Sequence, residues 1–386
     1  MSKTVKIKLK GKPENYEIKI GHGFLENCGD QIRNSPTEMA SKIAIVSNRK
    51  VFRLYGKAVE NSLKKSGFKV FVRLIGDGEK YKNFSVLEKT LKFFSENKLT
   101  RTDAILALGG GVVGDLTGFA ASVYLRGISF IQMPTTLLSM IDSSVGGKTA
   151  VNSRFGKNLI GTFYQPDAVL IDPQVLQTLA PREITAGFCE AVKQGAISGQ
   201  NLFNQTADFL KKYPVENFKK YSSDENFHDD LQNLLASQIA FKAKIVAGDE
   251  YENVNRTDFR SRKILNFGHT IAHALEKITD YSYFKHGEAV GYGILAAGEI
   301  SKTVANFNQN ELKSLNDVVR MTGTLPAADN IETEKIIQAF AFDKKQIGES
   351  LQWILLEAIG KPKILQNRDI PNQVIKKSLE KVLKNK

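Results

Sequence analysis

Three of the five histidines in this chain, His269, His273 and His286, fall within 18 residues, and the first two open a helical-looking stretch, HTIAHALE. Residues four apart on a helix project from one face, so two imidazoles placed there can meet a single ion. Neutral imidazole is the commonest protein ligand for a divalent metal, and metal binding is therefore the first chemistry to consider. The plain alternative is a set of unrelated polar side chains on a solvated face. His286, in the loop-to-helix junction KHGEAVGYG, tips the balance toward the metal. The protease pattern HExxH is absent, because Thr270 stands where its general-base glutamate would be.

A second constellation is glycine-rich. The run AILAL leads into Gly109, Gly110, Gly111, Val112, Val113, Gly114 and Asp115, followed by LTGFAASVYLRG. This is GxGxxG between an expected strand and an expected helix, the context in which glycines let backbone N–H groups approach a pyrophosphate. The bland reading is a glycine-packed turn with no ligand. No acidic residue follows about twenty positions later to hold a ribose, so ribose contacts are expected from GDGEKYKN, residues 76–83.

The elements that must carry these residues are legible in the periodicity. KIAIVSN, VFRLYGKAVENSLKKSG, KVFVRLIGDGE, SVLEKTLKFFSENKL and DAILALGGG alternate short apolar runs with helix-period segments, the βαβ pattern of a parallel sheet. AILAL and ISFIQM are apolar throughout, as in strands covered on both faces. Beyond about Pro181 the pattern turns helical, with LQWILLEAIG as the one run that could return as a strand. The expected fold is an α/β, Rossmann-like N-terminal domain with a parallel sheet over 1–180. A mostly α-helical C-terminal domain follows over 181–386, with the site in the cleft between the two. No internal repeat is visible, and 211–230 and 251–261 read as polar surface excursions.

With 386 residues, two domains can each bury a core. Cys28, in a polar loop, and Cys189, in an apolar stretch, read as reduced thiols of a cytosolic protein. The start, MSKTVKIKLKGK, alternates charge with apolar residues and reads as a strand rather than a signal peptide, and no apolar run reaches membrane-spanning length. A cytoplasmic protein with no membrane association is expected. The net charge of +13, with pI ≈ 9.4, raises nucleic-acid binding. However, the lysines are scattered, without the aromatic interleaving of RNA or DNA modules. Diffuse positive charge suits an anionic small substrate better, and no nucleic-acid partner is expected.

Residues 134–166, PTTLLSMIDSSVGGKTAVNSRFGKNLIGTFYQP, together with GGGVVGDLTGF and LNFGHTIAHALE, closely resemble the 3-dehydroquinate synthase family of sugar phosphate cyclases. The resemblance spans nearly the whole chain. It implies a carbon–oxygen lyase of the shikimate pathway, converting 3-deoxy-D-arabino-heptulosonate 7-phosphate to 3-dehydroquinate and phosphate. The route is transient NAD-dependent oxidation, phosphate elimination, reduction and intramolecular aldol closure.

Carried over position by position, the resemblance makes Glu190, His269 and His286 the ligands of one divalent metal, zinc or cobalt, and moves His273 beside the metal to touch substrate. It assigns the anionic sugar acid phosphate to Lys148, Asn158, Lys193, Lys242, Arg262, Asn266, His273 and Lys344 of FDKKQ, with Asp142 and Lys193 bridging cofactor and reacting carbon. An Arg fork suits a carboxylate, and ammonium groups suit phosphate as point charges. Arg126 in YLRG would reach the phosphate of a neighbouring subunit, which implies a homodimer. For NAD the resemblance selects Glu79, Lys82, Gly110, Gly111, Val112, Asp115, Thr135, Thr136, Asp142, Lys148, Lys157 and Thr178.

The chain departs from the family pattern in two places. SNRKV puts Asn48 where many members carry an aspartate at the adenosine end, and the stretch between Asp249 and Arg262 is longer than the usual turn. Three other functions compete. Another sugar phosphate cyclase would lack the carboxylate-binding residues of SSVGGKTAVN and RKILNFGH. A metal-dependent polyol dehydrogenase would release reduced cofactor, and a basic scaffold on an enzyme fold would bind RNA without turnover.

Overall fold

Strands Glu17–Ile20 (β1), Lys42–Asn48 (β2), Lys69–Ile75 (β3), Ala104–Gly109 (β4) and Ser129–Pro134 (β5) belong to the central sheet. Lys148–Ser153 (β6) and Gly156–Phe163 (β7) form a separate antiparallel hairpin, and Ala168–Ile171 (β8) returns to the sheet. The six sheet strands run parallel in the order β1-β8-β5-β4-β2-β3. This computed structural model describes residues 16–35, 37, 39–347 and 351–384, without the side chains of 341–347. The strand expected over MSKTVKIKLKGK therefore lies outside the described residues.

The apolar runs of β2 and β4 split by alternation. Ile43 and Ile45 join Leu106 and Leu108 in one buried cluster, while Ala44 and Val46 join Ile105 and Ala107 in another. Both faces of the sheet are covered, which is why these strands carry no polar alternation. Covering helices are Phe24–Arg33 (α1), the short Arg49–Val51 (α2) running through a wide turn into Lys57–Lys65 (α3), Phe84–Glu96 (α4) and Gly111–Val123 (α5). The direction in which strands are added across the sheet reverses between β2 and β4, since β2 leads to β3 on one side and β4 to β5 on the other. In open α/β sheets the crevice beyond the carboxyl ends of such strands receives ligands, and there β2 ends on Asn48 and β4 on Gly109.

From Pro181 on, helices dominate: Pro181–Ser198 (α6), Gln200–Lys212 (α7), Glu225–Gly248 (α8), His269–Ile278 (α9), His286–Val304 (α10), Gln309–Met321 (α11), Thr333–Ile347 (α12) and Asn372–Lys384 (α13). Pro181 starts α6, a position where its missing N–H costs nothing. The helix is buried without a break from Ile184 to Ile197, so it serves as the axis of this half. LQWILLEAIG does return as a strand, Gln352–Ala358 (β9), paired antiparallel with Lys361–Gln366 (β10).

Two sequence expectations need correction. Cys28 lies inside α1, fully buried, because α1 packs against α3 and turns that face inward. The 211–230 stretch is not all surface, since Tyr213, Val215, Phe218 and Phe227 are buried in an aromatic cluster with Phe188 and Phe209. Its lysines and acids disguise four inward anchors. The 251–261 segment does sit at the surface, with Tyr251, Val254 and Phe259 exposed.

Candidate active site

Three helices converge on one carboxylate. Glu190, midway along α6, is fully buried, and its Oε1 lies 3.8 Å from His269 Nε2 and 3.5 Å from His286 Nε2. Its Oε2 is ion-paired with Lys193 Nζ at 2.5 Å, while Oε1 has no hydrogen-bond partner. A buried ionisable oxygen without a hydrogen bond is costly, and the spacing explains it. Ligand atoms held at about 2.0–2.2 Å by a tetrahedral ion lie about 3.4 Å apart. The other ring nitrogens are occupied, His269 Nδ1 by the Phe267 carbonyl at 3.3 Å and His286 Nδ1 by Glu276 Oε2 at 3.0 Å. Both Nε2 atoms therefore face Glu190, the orientation that outer hydrogen bonds impose on ligating histidines. Burial first, then Lys193 and the neighbouring imidazoles, holds the His269 pKa well below its usual value, so this ring is neutral and its lone pair available.

The local sequence builds this meeting point. Gly268, with φ +79°, takes a left-handed conformation that aims His269 into the cluster, and the backbone of Gly293 on α10 packs directly against it. His286 is the first residue of α10, where Glu288 closes a capping box onto the Lys285 N–H at 2.7 Å. Arg182 grips the buried Glu288 with two hydrogen bonds of 2.6 Å, tying the start of α10 to the start of α6. A side chain at Gly287 would collide with the Ala186 carbonyl, so only glycine lets the two helices approach here. A second grouping with metal-ligand spacing, His273, Glu276 and His286, shares His286. There the Glu276 oxygens already hold His286 Nδ1 and, at 3.2 Å, Lys157 Nζ, which makes the Glu190 grouping the better cation site.

The cluster opens into a cleft of about 2960 Å³ between sheet and helices. On the sheet side the cleft is lined by Gly110, Gly111 and Val112 at the start of α5, with Thr135, Thr136 and Thr178. Gly110 lies so close to Thr136 that a Cβ there would sit 3.1 Å from its Cγ2. Lys82, almost fully buried, forms an ion pair with Asp115 and donates to Asn158 Oδ1 at 2.5 Å. Burial pushes the Asp115 pKa up even against Lys82. Glu79 accepts from Asn152 on β6 at 2.7 Å, so the GDGEKYKN segment and the hairpin form one wall. Tyr55 closes the far end through its hydroxyl to Thr178.

Cations crowd the centre. Asp142 accepts from Lys242 at 2.8 Å and lies 3.8 Å from Lys193 Nζ. Burial opposes ionisation of Asp142, yet Lys242 and Lys193 together hold its carboxyl far below the usual carboxylate range. For Lys242 burial wins and lowers the pKa. Lys148 pairs with Glu252, which Asn266 also approaches at 3.5 Å. Arg262 is buried and anchored to the carbonyls of Glu250 and Gly146 at 2.7 and 2.8 Å. His273 stands beside the two ligand histidines, its ring 5.5 Å from that of His269 and 6.0 Å from that of His286.

Of the residues nominated from sequence, two stand apart. Arg126 is exposed and does not line this cleft. Lys344 falls in the part of α12 whose side chains are outside the described residues. Sequence reasoning passed over Asp77, Glu252 and Glu276. Asp77 lies inside GDGEKYKN and accepts from Asn48 Nδ2 at 3.1 Å. Asn48 also caps α2 by accepting from the Val51 N–H, so its amide positions the Asp77 carboxylate at the sheet's switch point. Glu276 ends the motif HTIAHALE and carried a signal in its spacing, seven residues after His269. Nothing marks Glu252 in the sequence beyond the length of its loop.

The family profiles described as 3-dehydroquinate synthase N-terminal and C-terminal match residues 72–186 and 187–346. The 3-dehydroquinate synthase of Rippkaea orientalis is 40% identical over 380 residues, covering 97% of this chain and 98% of its own. Among solved structures, the 2-epi-5-epi-valiolone synthase of Streptomyces hygroscopicus, with NAD+ and Zn2+ bound, has TM-score 0.82 at 23% identity over 98% of this chain and 99% of its own. A 2-deoxy-scyllo-inosose synthase complexed with carbaglucose-6-phosphate, NAD+ and Co2+ has TM-score 0.79 at 24% identity, covering 95% and 96%. No helix among the described residues is long and apolar enough to cross a membrane.

Proposed function

The chain belongs to the 3-dehydroquinate synthase family, and from that premise we propose how its residues divide the family's reaction among themselves. The reaction is the conversion of 3-deoxy-D-arabino-heptulosonate 7-phosphate to 3-dehydroquinate and phosphate, a carbon–oxygen lyase step of the shikimate pathway. The observation that carries the reading is the single cleft. On one wall stands the glycine turn of a nucleotide cradle, and on the other two imidazoles whose Nε2 atoms face Oε1 of the buried Glu190, an oxygen with no hydrogen-bond partner. We read 1–180 as the nucleotide-binding unit and 181–386 as the metal- and substrate-binding unit.

Phosphate must leave from a carbon whose neighbouring hydrogen is not acidic, so a ketone has to be made next to it first. When bound, NAD supplies the acceptor and later the donor of that hydride, and a divalent zinc or cobalt ion held by Glu190, His269 and His286 supplies Lewis acidity at the substrate hydroxyls. Lys193 and Asp142 lie where the helical and sheet walls meet and orient the reacting carbon toward the cofactor. Lys148, Arg262 and Asn266 form the carboxylate end of the subsite. Lys242, Lys193, Asn158 and His273 hold the phosphate end and the ring hydroxyls. Glu79, Lys82, Asp115, Thr135, Thr136, Lys157, Thr178 and Asn48 hold the dinucleotide against the Gly110 turn. Fixed geometry of this kind accounts for up to about 7–11 kcal/mol of barrier lowering.

We also propose a cytoplasmic homodimer. Leu159, Ile160 and Phe163 on β7 are exposed, as are Val123 and Leu125 beside Arg126. Thr162 on β7 donates to Ser122 at 2.9 Å, and Ile160, two residues away on the same strand face, therefore lies on the side of Arg126, whereas Leu159 and Phe163 line the cleft. That face joins two copies and sends Arg126 to the partner's phosphate.

The test combines purified protein, the sugar acid phosphate, NAD and zinc, and follows phosphate, carbocycle and reduced cofactor together. Phosphate and carbocycle appearing one for one, with no net reduced cofactor, is the expected result. Reduced cofactor accumulating in step with substrate loss would replace this reading with a polyol dehydrogenase.

A further inference from the structure

Glu276 is a buried acid that the reaction scheme leaves unused. It sits on α9, two turns beyond His269, with its side chain 5% exposed. Its two oxygens reach in different directions. Oε2 accepts from Nδ1 of His286 at 3.0 Å, and Oε1 accepts from Nζ of Lys157 at 3.2 Å. Lys157 belongs to β7 on the opposite wall, and its ammonium also lies 4.0 Å from the centre of the Tyr281 ring. The next residue, Asn158, accepts from Lys82, the cation paired with Asp115 at the glycine turn. One carboxylate thus touches a proposed metal ligand on the helical wall and, through Lys157, the hairpin that walls the nucleotide cradle.

From this geometry we infer that Glu276 is a positioning residue that fixes His286 for the cation and couples cation binding to dinucleotide binding through Lys157. The inference rests on the metal site read above. By accepting the Nδ1 proton, Glu276 selects the tautomer whose Nε2 lone pair faces Glu190, and it prevents rotation of the ring. A ligand histidine stripped of such a partner costs its site about 10–100-fold in metal affinity. The second role follows from Lys157. A cation that draws His286 toward Glu190 fixes the Glu276 carboxylate, and a fixed carboxylate holds Lys157 and the hairpin in place for the nucleotide. Linkage requires the effect to be reciprocal, with each ligand tightening the other by the same factor, in the range of about 5–150 for coupled sites.

The test uses full-length wild type, Glu276→Gln, Glu276→Asp, Lys157→Met and Glu190→Gln, each checked for native circular dichroism and thermal unfolding. Cobalt affinity is read by chelator competition, ligand geometry by the visible absorption of the cobalt-loaded protein, and NAD affinity with and without cobalt. The proposal expects Glu276→Gln to lose about 10–100-fold in cobalt affinity with an altered cobalt spectrum, and Glu276→Asp to recover part of both. It expects Lys157→Met to keep the cobalt spectrum and affinity yet abolish the effect of cobalt on NAD binding. Cobalt affinity and spectrum unchanged in Glu276→Gln, while Glu190→Gln loses the ion, would overturn this proposal alone. Cobalt retained by Glu190→Gln would overturn the metal site itself, and the proposal with it.

Discussion

Lys193 Nζ lies 2.5 Å from Oε2 of Glu190, one helical turn away on α6, with both side chains sealed from solvent. Burial works against the ammonium, yet Glu190 and Asp142 more than offset it and raise the lysine's pKa, so Lys193 keeps its charge. Removing one partner of such a pair strands the other, at about 3–5 kcal/mol. Lys193→Met is expected to lose that much stability in metal-stripped protein, measured by urea unfolding. Zinc should narrow the gap, because a dication replaces the missing positive charge beside Glu190. An equal loss with and without zinc would place the ion elsewhere.

His269→Ala removes a neutral, buried ligand from α9 while leaving the glycine turn on α5 untouched. Metal-dependent turnover should vanish, and NAD affinity measured on metal-stripped protein should stay at the wild-type value. Full activity in the metal-stripped variant would remove His269 from the ligand set.

Asn48 and Asp77 form one unit at the end of β2. The Asn48 amide donates to Asp77 while its oxygen caps α2, which places a carboxylate beside position 48. Asp77→Ala should weaken NAD binding by one charge-assisted hydrogen bond, roughly 1.5–3 kcal/mol or about tenfold and upward. Asn48→Asp should also weaken it, because two carboxylates would then face each other at hydrogen-bond distance. Tighter NAD binding by Asn48→Asp, measured by titration of the cofactor's fluorescence, would show that Asp77 is not the acceptor.

Sequence revealed what periodicity and motif encode. The alternation of Ile43, Ala44, Ile45 and Val46 between two cores was already visible as a run without polar residues, and Gly109 to Gly114 announced a nucleotide turn from its place after a strand. The histidine spacing pointed to a metal and put forward His269 with His273, which share a helix, whereas the fold gathers His269 and His286 around Glu190. No local pattern can report that, because His286 and Glu190 arrive from α10 and α6 and meet only through packing at Gly287 and the Arg182–Glu288 pair. Glu276 and Glu252 escaped notice for a related reason. Each looks like a surface acid until the partners across the cleft, Lys157 and Lys148, are in view.

Arg126 poses a question of geometry between chains. Leu125 and Arg126 both adopt left-handed backbone conformations, with φ of 51° and 66°, ahead of Gly127 at 122°. Strain of about 1–3 kcal/mol at each such non-glycine residue persists where surrounding structure or function holds it. Here it aims Arg126 away from its own cleft. Arg126→Ala should leave dimerisation intact by sedimentation and weaken substrate and inorganic phosphate binding by about tenfold or more, the equivalent of a charged hydrogen bond of roughly 1.5–3 kcal/mol. Hybrid dimers sharpen the test. When Arg126→Ala and His269→Ala chains are mixed, a dimer of one each has one site with both wild-type groups, provided the arginine crosses between subunits. At substrate concentrations too low for the Arg126→Ala parent to turn over well, activity in the mixture should then exceed that of either parent. If Arg126 served its own chain, every site in the hybrid would carry one defect and the mixture would not exceed its parents.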